Sequence, residues 1–418
     1  MLRIIPSSDK ESIERLFSRR AARLGHAEAV VAPILEAVRD RGDEALLDYA
    51  KRLDGLKADS VRVAPAAIKR ARRLLSKDFR AAAKFASAQI RRYARSQMPQ
   101  SWKKHLADGV QLGQLVRPLR SAAAYIPGGR YPLPSTLMMT VLPAQVAGVE
   151  VISVASPNPA CETLGTAGLI GVSNFFHMGG AQAIAAFAFG TETVPRADRI
   201  VGPGNIYVAA AKKLLAGEVG IDFVAGPSEI LLIASPGSDP RLLAADMLAQ
   251  AEHDSDAAAI LLTPSKLVSR RVVAEVESQL STLPTQAIAS KSIDQNGAVV
   301  LTRTLDEAME ISNRFAPEHL SIPDESLLPK VTSAGSVFVG PWSPEAAGDY
   351  ASGPNHVLPT GGAAHLRGGL SVLDYLKIIS VQKLEPEGLR RLAPAIVTLA
   401  RAEGLEAHAR SIEVRIDG

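Results

Sequence analysis

The sequence predicts an α/β protein with two α/β domains and parallel-rich sheets, a helical N-terminal lead-in and a helical C-terminal tail. From about residue 115, short β-prone runs alternate with Gly-containing turns and helical runs, as in "EVISVASPN" and "DRIVGPGNIYVAAAKKLL". A second alternating stretch follows, in which "AAAILLT" and "GAVVLTR" are each followed by a helical segment. In folds of this kind, loops at the carboxyl ends of the strands collect ligands.

The flanking regions have helical patterns. Residues 8–110 are predicted to be mainly helical, because "SSDKESIERLFSRR" has a Ser cap before an acidic first turn and later segments carry apolar residues at three- and four-residue spacing. Beyond residue 365, the sequence predicts a helical tail with a terminal strand-like run. A helix-rich lead-in with few strands cannot easily close a sheet of its own, so we expect it to join the second α/β unit.

These patterns divide the chain into three parts. We expect two Rossmann-like α/β domains and a tail, with a discontinuous domain of residues 1–112 and 230–365, a domain of residues 113–229, and a tail of residues 366–418 that docks elsewhere, including on a partner subunit.

Composition excludes several functional classes. The chain has 418 residues, of which 47% are apolar and 22% charged, as a globular protein of two or more domains requires. Its net charge is only +4, and its basic residues lie in helical segments such as "KRARR", which indicates solvated helix faces and no nucleic-acid surface. No apolar run approaches the ~18–20 residues that span a bilayer.

The first residues and the single cysteine narrow the classes further. Pro6 and a run of charges follow only a few apolar residues, so no signal-peptide core is expected and the cytoplasm is the predicted compartment. Cys161 is the only cysteine, which excludes an internal disulfide and a Cys-rich zinc cluster. We interpret it as a small, partly buried residue near a helix start.

The segment "DMLAQAEHDSDAAAILL" contains a candidate metal site. Gln250 and His253 are three residues apart and would project from one face of a helix. A solvated acidic face is the alternative. Further Asp, Glu and His side chains that could complete a site occur in "APEHLSI", "GDYASGPNHVLPTGG" and "ARAEGLEAHARS", namely Glu318, His319, Asp349, His356, Glu403 and His408.

Two further groups of residues carry candidate roles. The adjacent Glu318 and His319 could flank a substrate from two sides as separate bases, or be a capping Glu and a buried His. The turns "MGGAQA" and "GPGNIY" resemble Gly turns that approach phosphates, although neither completes G-x-G-x-x-G. Of the other histidines, we expect His26 and His105 at the surface and leave His177 and His365 undecided.

Taken together, several motifs resemble the histidinol dehydrogenase family, from about residue 20 to the end of the chain. They are "YIPGGRYPLPSTLMM", "GGAQAIAAFAFGTETVPRADRIVGPGNIYVAAAKK", "AGPSEILLIA", "LAQAEHD", "NRFAPEHLSI", "GDYASGPNHVLPT" and "EGLEAHA". The resemblance implies a zinc- and NAD-dependent homodimer with shared active sites and one Zn²⁺ per subunit. It implies that L-histidinol is oxidised twice, through L-histidinal to L-histidine. Residues 113–229 would bind NAD, and the discontinuous domain would carry the metal and catalytic motifs.

The resemblance also implies roles for individual residues. Carried onto matching positions, these are the zinc ligands Gln250, His253, Asp349 and His408, the catalytic pair Glu318 and His319, the NAD contacts Tyr125, Gln182 and Asn205, and the substrate contacts Ser228, Gln250, His253, His319, Asp349, His356, Glu403 and His408. His408 would come from the partner subunit's tail. A neutral His319 could remove the alcohol proton, and Glu318 could activate water for the second oxidation.

Some features depart from the family pattern. The loop after Asn158 is shorter than usual, and His177 and His365 stand where other residues are common. These changes concern the cofactor turns and the substrate loop, whereas Glu403, which suits a cationic substrate, is retained. The alternatives are a zinc- and NAD-dependent dehydrogenase of another small polar alcohol, such as a sulfopropanediol, and a ligand-binding relative that has lost catalysis.

Overall fold

The computed structural model describes residues 2–18, 24–128 and 131–417. The strands are β1 (Arg3–Pro6), β2 (Trp102–Ala107), β3 (Val110–Pro118), β4 (Ser121–Tyr125), β5 (Val151–Ala155), β6 (Asn174–Phe176), β7 (Arg199–Val201), β8 (Gly220–Ile221), β9 (Glu229–Ile233), β10 (Ala258–Thr263), β11 (Ala298–Leu301), β12 (His319–Ile322), β13 (Ser336–Val339) and β14 (Leu376–Leu384).

The α-helices are α1 (Lys10–Ser18), α2 (Leu24–Arg41), α3 (Asp43–Leu53), α4 (Pro65–Leu74), α5 (Lys77–Ser96), α6 (Pro134–Ala147), α7 (Cys161–Ile170), α8 (Gly180–Phe189), α9 (Ile206–Leu215), α10 (Pro240–Ala251), α11 (Lys266–Leu280), α12 (Gln286–Asn296), α13 (Leu305–Phe315), α14 (Glu345–Tyr350), α15 (Pro386–Ala402) and α16 (Glu406–Ile416). Short 3-10 helices lie at Glu325–Lys330, Ala363–His365 and Val372–Tyr375. A bilayer-crossing helix, which needs about 20 apolar residues, is not found among the helices of the described ranges.

Two parallel sheets form the centre of the fold. One has the strand order β1-β11-β10-β9-β12-β13, and the other has the order β6-β5-β4-β7-β8. Neighbouring strands in both sheets are parallel. Every residue of β9 and β10 is buried, and such continuous apolar runs are typical of strands covered on both faces. The predicted α/β class with parallel-rich sheets is confirmed.

Helices cover both faces of each sheet. The six-stranded sheet packs against α10, α11 and α12 on one face and against α1 and α13 on the other. The five-stranded sheet packs against α2, α3, α8 and α9 on one face and against α4, α5, α6 and α7 on the other. Each sheet therefore has its own pair of hydrophobic cores.

The N-terminal helices pack on a different sheet from the one expected. We expected all of residues 1–112 to join the second α/β unit, but only β1 and α1 do so. The helix α2 instead lays its apolar stripe on α8 and α9, and α4 and α5 pack against α7 and α6. The amphipathic pattern identifies a buried helix face, but it does not say which sheet covers that face. The division of the chain into domains stays a prediction.

A third sheet was not predicted from the sequence. Strands β14, β3 and β2 form an antiparallel sheet in that order. The hairpin between β2 and β3 turns at Asp108 and Gly109, an Asp-Gly pair that is a strong hairpin signal and that the helical interpretation of this region overlooked. Gly109 has a positive φ of 68°, and a Cβ there would lie 2.5 Å from the backbone nitrogen of Gly388 at the start of α15.

The C-terminal tail begins with a strand and ends with helices. β14 is nine residues long, whereas the terminal run that was expected to be strand-like is the helix α16. The helices α15 and α16 pack mainly on each other. Leu399 and Val414 on these helices are 64% and 72% exposed, so the tail presents apolar surface that the other described residues of this chain do not cover.

Candidate active site

The predicted catalytic pair lies at the amino end of β12, next to the amino end of the neighbouring strand β9. Glu229 is the first residue of β9 and His319 the first residue of β12, and the two strands are paired in parallel. Ser228 and Glu318 immediately precede these strands. These side chains cluster at the amino edge of this sheet, opposite the carboxyl edge at which α/β folds generally bind ligands.

Glu318 and His319 face one another within the cluster. Oε2 of Glu318 accepts a hydrogen bond from the backbone nitrogen of Glu229 at 2.8 Å and lies 3.7 Å from Nδ1 of His319. Whether the pair flanks a substrate as two separate bases stays a prediction. Gly335 packs so closely on this turn that a Cβ there would lie 2.5 Å from the backbone oxygen of Glu318. The neighbouring segment thus holds the pair in place.

Burial determines the protonation of His319. Its Nδ1 is 3.1 Å from the backbone oxygen of Glu229, and because a carbonyl oxygen only accepts, Nδ1 is the donor. Burial lowers the pKa of His319 to about 4, against the opposing effect of Asp349. The ring is therefore neutral near pH 7, with its lone pair on Nε2. A neutral imidazole in this tautomer can accept a proton.

Glu318 is buried beside other carboxyl groups. Burial raises its pKa well above the ordinary value, and the charges of Glu229 and Asp349 add to that increase. The hydrogen bond from the backbone nitrogen of Glu229 acts in the opposite direction. The protonated form of Glu318 is therefore favoured more than that of an exposed glutamate.

The candidate metal ligands of this chain converge next to the catalytic pair. Nε2 of His253 lies 3.8 Å from Oδ2 of Asp349, and Gln250 is completely buried. Gln250 lies in the last turn of α10, but the helix ends at Ala251 and His253 lies in the following turn. The predicted shared helix face is therefore wrong, although the turn still brings both residues to the cluster.

Glu345 belongs to this cluster and was missed in the sequence. Three potential ligand atoms lie within 4.8 Å of one another, one each from His253, Glu345 and Asp349. Glu345 and Asp349 are four residues apart on α14, a spacing that places two carboxylates on one helix face and could have identified them. Imidazole and carboxylate donors beside a buried amide are a donor set that suits zinc.

His356 joins the cluster to the other sheet. Its Nδ1 donates to the backbone oxygen of Asp349 at 2.8 Å, and its Nε2 is 3.2 Å from the hydroxyl of Thr136, in the first turn of α6. Because α6 follows β4, this contact places the carboxyl edge of the five-stranded sheet beside the amino edge of the six-stranded sheet.

The predicted NAD contacts lie at the carboxyl edge of the five-stranded sheet. Tyr125 ends β4, Gln182 is in the first turn of α8, and Asn205 caps α9 by accepting from two backbone nitrogens. Chain order reverses between β4 and β7, which is the switch point where α/β sheets bind nucleotides. Gly202 approaches β4 so closely that a Cβ there would lie 2.2 Å from the backbone oxygen of Tyr125.

Two contacts support this edge as a cofactor site. The backbone nitrogen of Gly180 donates to the hydroxyl of Tyr125 at 3.2 Å, and burial raises the pKa of Tyr125 to about 12. Asp54, which the sequence did not single out, accepts from Nε2 of Gln182 at 3.0 Å. Oε1 of Gln182 is buried without a hydrogen-bond partner among the described residues, as expected of an atom that a ligand would contact.

A buried ion pair supports the β7–α9 turn. Nζ of Lys212 donates to Oδ1 of Asp222 at 2.6 Å and to the backbone oxygen of Gly202 at 2.5 Å. The other carboxylate oxygen of Asp222 accepts from the backbone nitrogen of Gly202 at 2.7 Å. Both the backbone nitrogen and the backbone oxygen of Gly202 are thus hydrogen-bonded to the ion pair, which fixes the turn.

Two predicted residues lie away from the cluster. Glu403 and His408 are exposed at the junction of α15 and α16, and within the described part of this chain neither side chain contacts the cluster. Their site roles stay predictions.

The remaining single residues have structural contacts. His26 and His105 are exposed, as expected. His177 contacts the backbone oxygen of Asp54 and His365 contacts that of Arg314, while Cys161 is half-buried at the start of α7.

Comparison with known proteins gives consistent results. A family model described as histidinol dehydrogenase matches residues 17–416. Curated proteins named histidinol dehydrogenase are similar along nearly the whole chain. The protein from Thermus thermophilus is 47% identical and the alignment covers 97% of this chain and 98% of that protein, and the protein from Methanothermobacter thermautotrophicus is 44% identical with 100% of both covered.

Solved structures give the same result. The crystal structure of histidinol dehydrogenase from Elizabethkingia anophelis superimposes with a TM-score of 0.95 at 38% identity, covering 100% of this chain and 98% of that one. An acetylating aldehyde dehydrogenase from Geobacillus thermoglucosidasius has a TM-score of 0.51 at 14% identity, covering 89% of this chain and 96% of that one, which is a likeness of fold alone.

Proposed function

The chain belongs to the histidinol dehydrogenase family, and we propose that it oxidises L-histidinol through L-histidinal to L-histidine with NAD at a zinc-dependent site. It is thus an NAD-linked oxidoreductase of histidine biosynthesis. The observation that carries the proposed site is the convergence of Glu318 and His319 with His253 and Asp349 at one edge of the six-stranded sheet. A biosynthetic reaction of this kind is expected in the cytoplasm.

The proposed zinc ligands are Gln250, His253 and Asp349 of one chain and His408 of the partner subunit. When bound, the zinc ion would fix the amine and imidazole nitrogens of histidinol and orient its carbinol carbon. Ser228 and His356 would hold the substrate from the adjoining loops, together with His319 and the ligand side chains. Glu403 would provide an anionic contact for this cationic molecule.

The two residues of the pair have separate roles in the proposed proton transfers. His319 would accept the alcohol proton on Nε2 in the first oxidation, since its ring is neutral. In its ionised form, Glu318 would then take a proton from the water that hydrates the aldehyde, before the second oxidation. NAD would be the electron acceptor in both steps, held by Tyr125, Gln182 and Asn205. These steps use water as the nucleophile and require no cysteine, and Cys161 lies at the start of α7.

We expect two NADH to form for each histidine. The measurement is NADH absorbance during complete turnover of limiting L-histidinol, with histidine quantified in the same sample. A matched sample with a sulfopropanediol in place of histidinol serves as the control. One NADH per product, or turnover of the control alcohol alone, would reject histidinol as the two-step substrate.

The C-terminal tail supports the proposal that two subunits share each active site. The exposed Leu399 and Val414 provide apolar surface for a second copy, and His408 lies on the same helices. Exposed apolar surface of this kind commonly marks an interface between subunits.

A mixed-dimer experiment tests this arrangement. We expect that subunit exchange between the inactive His408→Ala and His319→Ala variants restores activity, because one of the two sites in each mixed dimer then receives an intact set of residues. Activity is measured before and after exchange, and exchange is verified with differently tagged chains. Persistent inactivity after verified exchange would place His408 in the site of its own chain.

A further inference from the structure

The amide of Gln250 is oriented by one neighbouring carboxyl group. With its nitrogen toward Glu345, Nε2 donates to Oε1 of Glu345 at 2.5 Å and lies 3.3 Å from Oε2. The opposite orientation would place the amide oxygen next to the same two carboxyl oxygens. Their repulsion would be relieved only by a proton between them. Amide orientation in proteins is assigned from such contacts. Glu345 therefore selects one of the two orientations of this side chain.

The selection applies to the ionised form of Glu345. Both oxygens of a carboxylate are acceptors, and both face the same amide. Gln250 is completely buried and Glu345 is 3% exposed, so water does not compete for these atoms. The amide nitrogen is thus held at Glu345, and the amide oxygen remains available to coordinate a cation.

Glu345 also contacts the catalytic pair. Its Oε1 lies 3.4 Å from Nδ1 of His319, on the side of the ring that also faces the backbone oxygen of Glu229. One carboxyl group at the start of α14 therefore touches both the proposed base and the side chain that would ligate zinc. Groups that orient metal ligands typically change metal affinity about 10- to 100-fold when they are removed.

We propose that Glu345 is a positioning residue that turns the amide of Gln250 so that its oxygen is presented to the metal. This inference rests on the zinc site of the proposed function. It assigns Glu345 a role in metal binding that it exerts through Gln250. A direct ligand role for Glu345, which its distance to His253 and Asp349 would permit, makes a different prediction.

The test compares zinc affinities in two backgrounds. In the otherwise unchanged protein, we expect Glu345→Gln to lower zinc affinity about tenfold, because the new amide accepts both orientations of Gln250. In a Gln250→Ala background, we expect the same substitution to change zinc affinity less than about twofold, because no amide remains to be oriented. Affinity is measured by competition with a chelating dye on the full-length protein.

Further variants separate position from charge. Asp246→Asn removes another half-buried carboxyl group that interacts with Glu345, and we expect it to change zinc affinity much less than Glu345→Gln does. Glu345→Asp keeps the charge but withdraws the oxygens from Gln250, and we expect a loss close to that of Glu345→Gln. It also provides a second variant if Glu345→Gln does not fold, which circular dichroism would show.

The outcomes distinguish this inference from the proposed function. An equal loss of affinity from Glu345→Gln in both backgrounds, or an equal loss in Asp246→Asn, would overturn the positioning role. Unchanged affinity in both Glu345 variants, together with zinc loss in His253→Ala, would overturn the inference and leave the zinc site intact. Full zinc binding by His253→Ala and Gln250→Ala would overturn the zinc site itself and the inference with it.

Discussion

Replacing His319 by asparagine is expected to lower kcat by about 10²- to 10⁴-fold while zinc binding persists. The side chain would lose the ring nitrogen that accepts the alcohol proton, and general-base catalysis contributes a factor of this size. Asparagine keeps a donor for the backbone oxygen of Glu229, which Nδ1 contacts at 3.1 Å, so the local fold should be retained. The measurements are steady-state turnover of L-histidinol and zinc content by elemental analysis.

The matched control for this substitution is His105→Asn. His105 is exposed on β2, where its ring contacts Gln111, and it lies outside the proposed site. We expect its kcat to equal that of the unchanged protein. If His319→Asn retained more than about a tenth of the activity, a contribution below the range of a general base, another group would have to accept the proton.

The second large effect is expected on stability, from Lys212→Met. Lys212 and Asp222 form an ion pair whose side chains are 3% and 0% exposed. Removing one partner of such a pair leaves an uncompensated buried charge and typically costs about 3–5 kcal/mol. Asp222 keeps bonds from the backbone nitrogens of Gly202 and Phe223, so we expect a loss of about 3 kcal/mol, at the lower end of that range. The measurement is the free energy of unfolding in urea.

The adjacent lysine provides a control at the surface. Lys213 pairs with Glu28, but its side chain is 54% exposed, and surface pairs contribute less than about 1 kcal/mol. Lys213→Met should therefore change the free energy of unfolding by less than that. Adding Asp222→Asn to Lys212→Met should recover part of the loss by neutralising the remaining charge. Equal effects of the two lysine substitutions would contradict a special contribution of the buried pair.

The local patterns of the sequence predicted most of the elements that form the two parallel sheets. The apolar run "AAAILLT" contains β10, and the amphipathic run "SRRVVAEVESQL" forms most of α11. Such elements are predictable because the spacing of apolar residues indicates whether one face or both are buried. The antiparallel sheet was missed, since β2 follows the long helix α5 in a segment interpreted as helical, and β14 lies in a segment interpreted as a helical tail. Most residues of β2 and β14 are exposed, and strands without a buried face have a weak periodic signal.

The site was predicted in part for a similar reason. Motifs in the sequence singled out Glu318, His319, Gln250, His253 and Asp349, all of which lie in the cluster. Glu345 lies four residues before Asp349, but no motif singled it out. Asp54 contacts Gln182, from which it is separated by more than a hundred residues. Sequence spacing predicts neighbours on one element, whereas contacts between elements depend on how those elements pack.

The sequence by itself determined the class of fold, the family and the chemical types of the site residues, because these depend on local periodicity and on the order of motifs along the chain. Only the tertiary structure decided that the proposed catalytic pair lies at the amino edge of one sheet, facing the carboxyl edge of the other through the contact of His356 with Thr136. It also decided that Glu345 contacts Gln250 and that α2 to α5 cover the five-stranded sheet. The physical reason is that burial and the protonation of His319 result from packing between segments far apart in the chain, which no local pattern specifies.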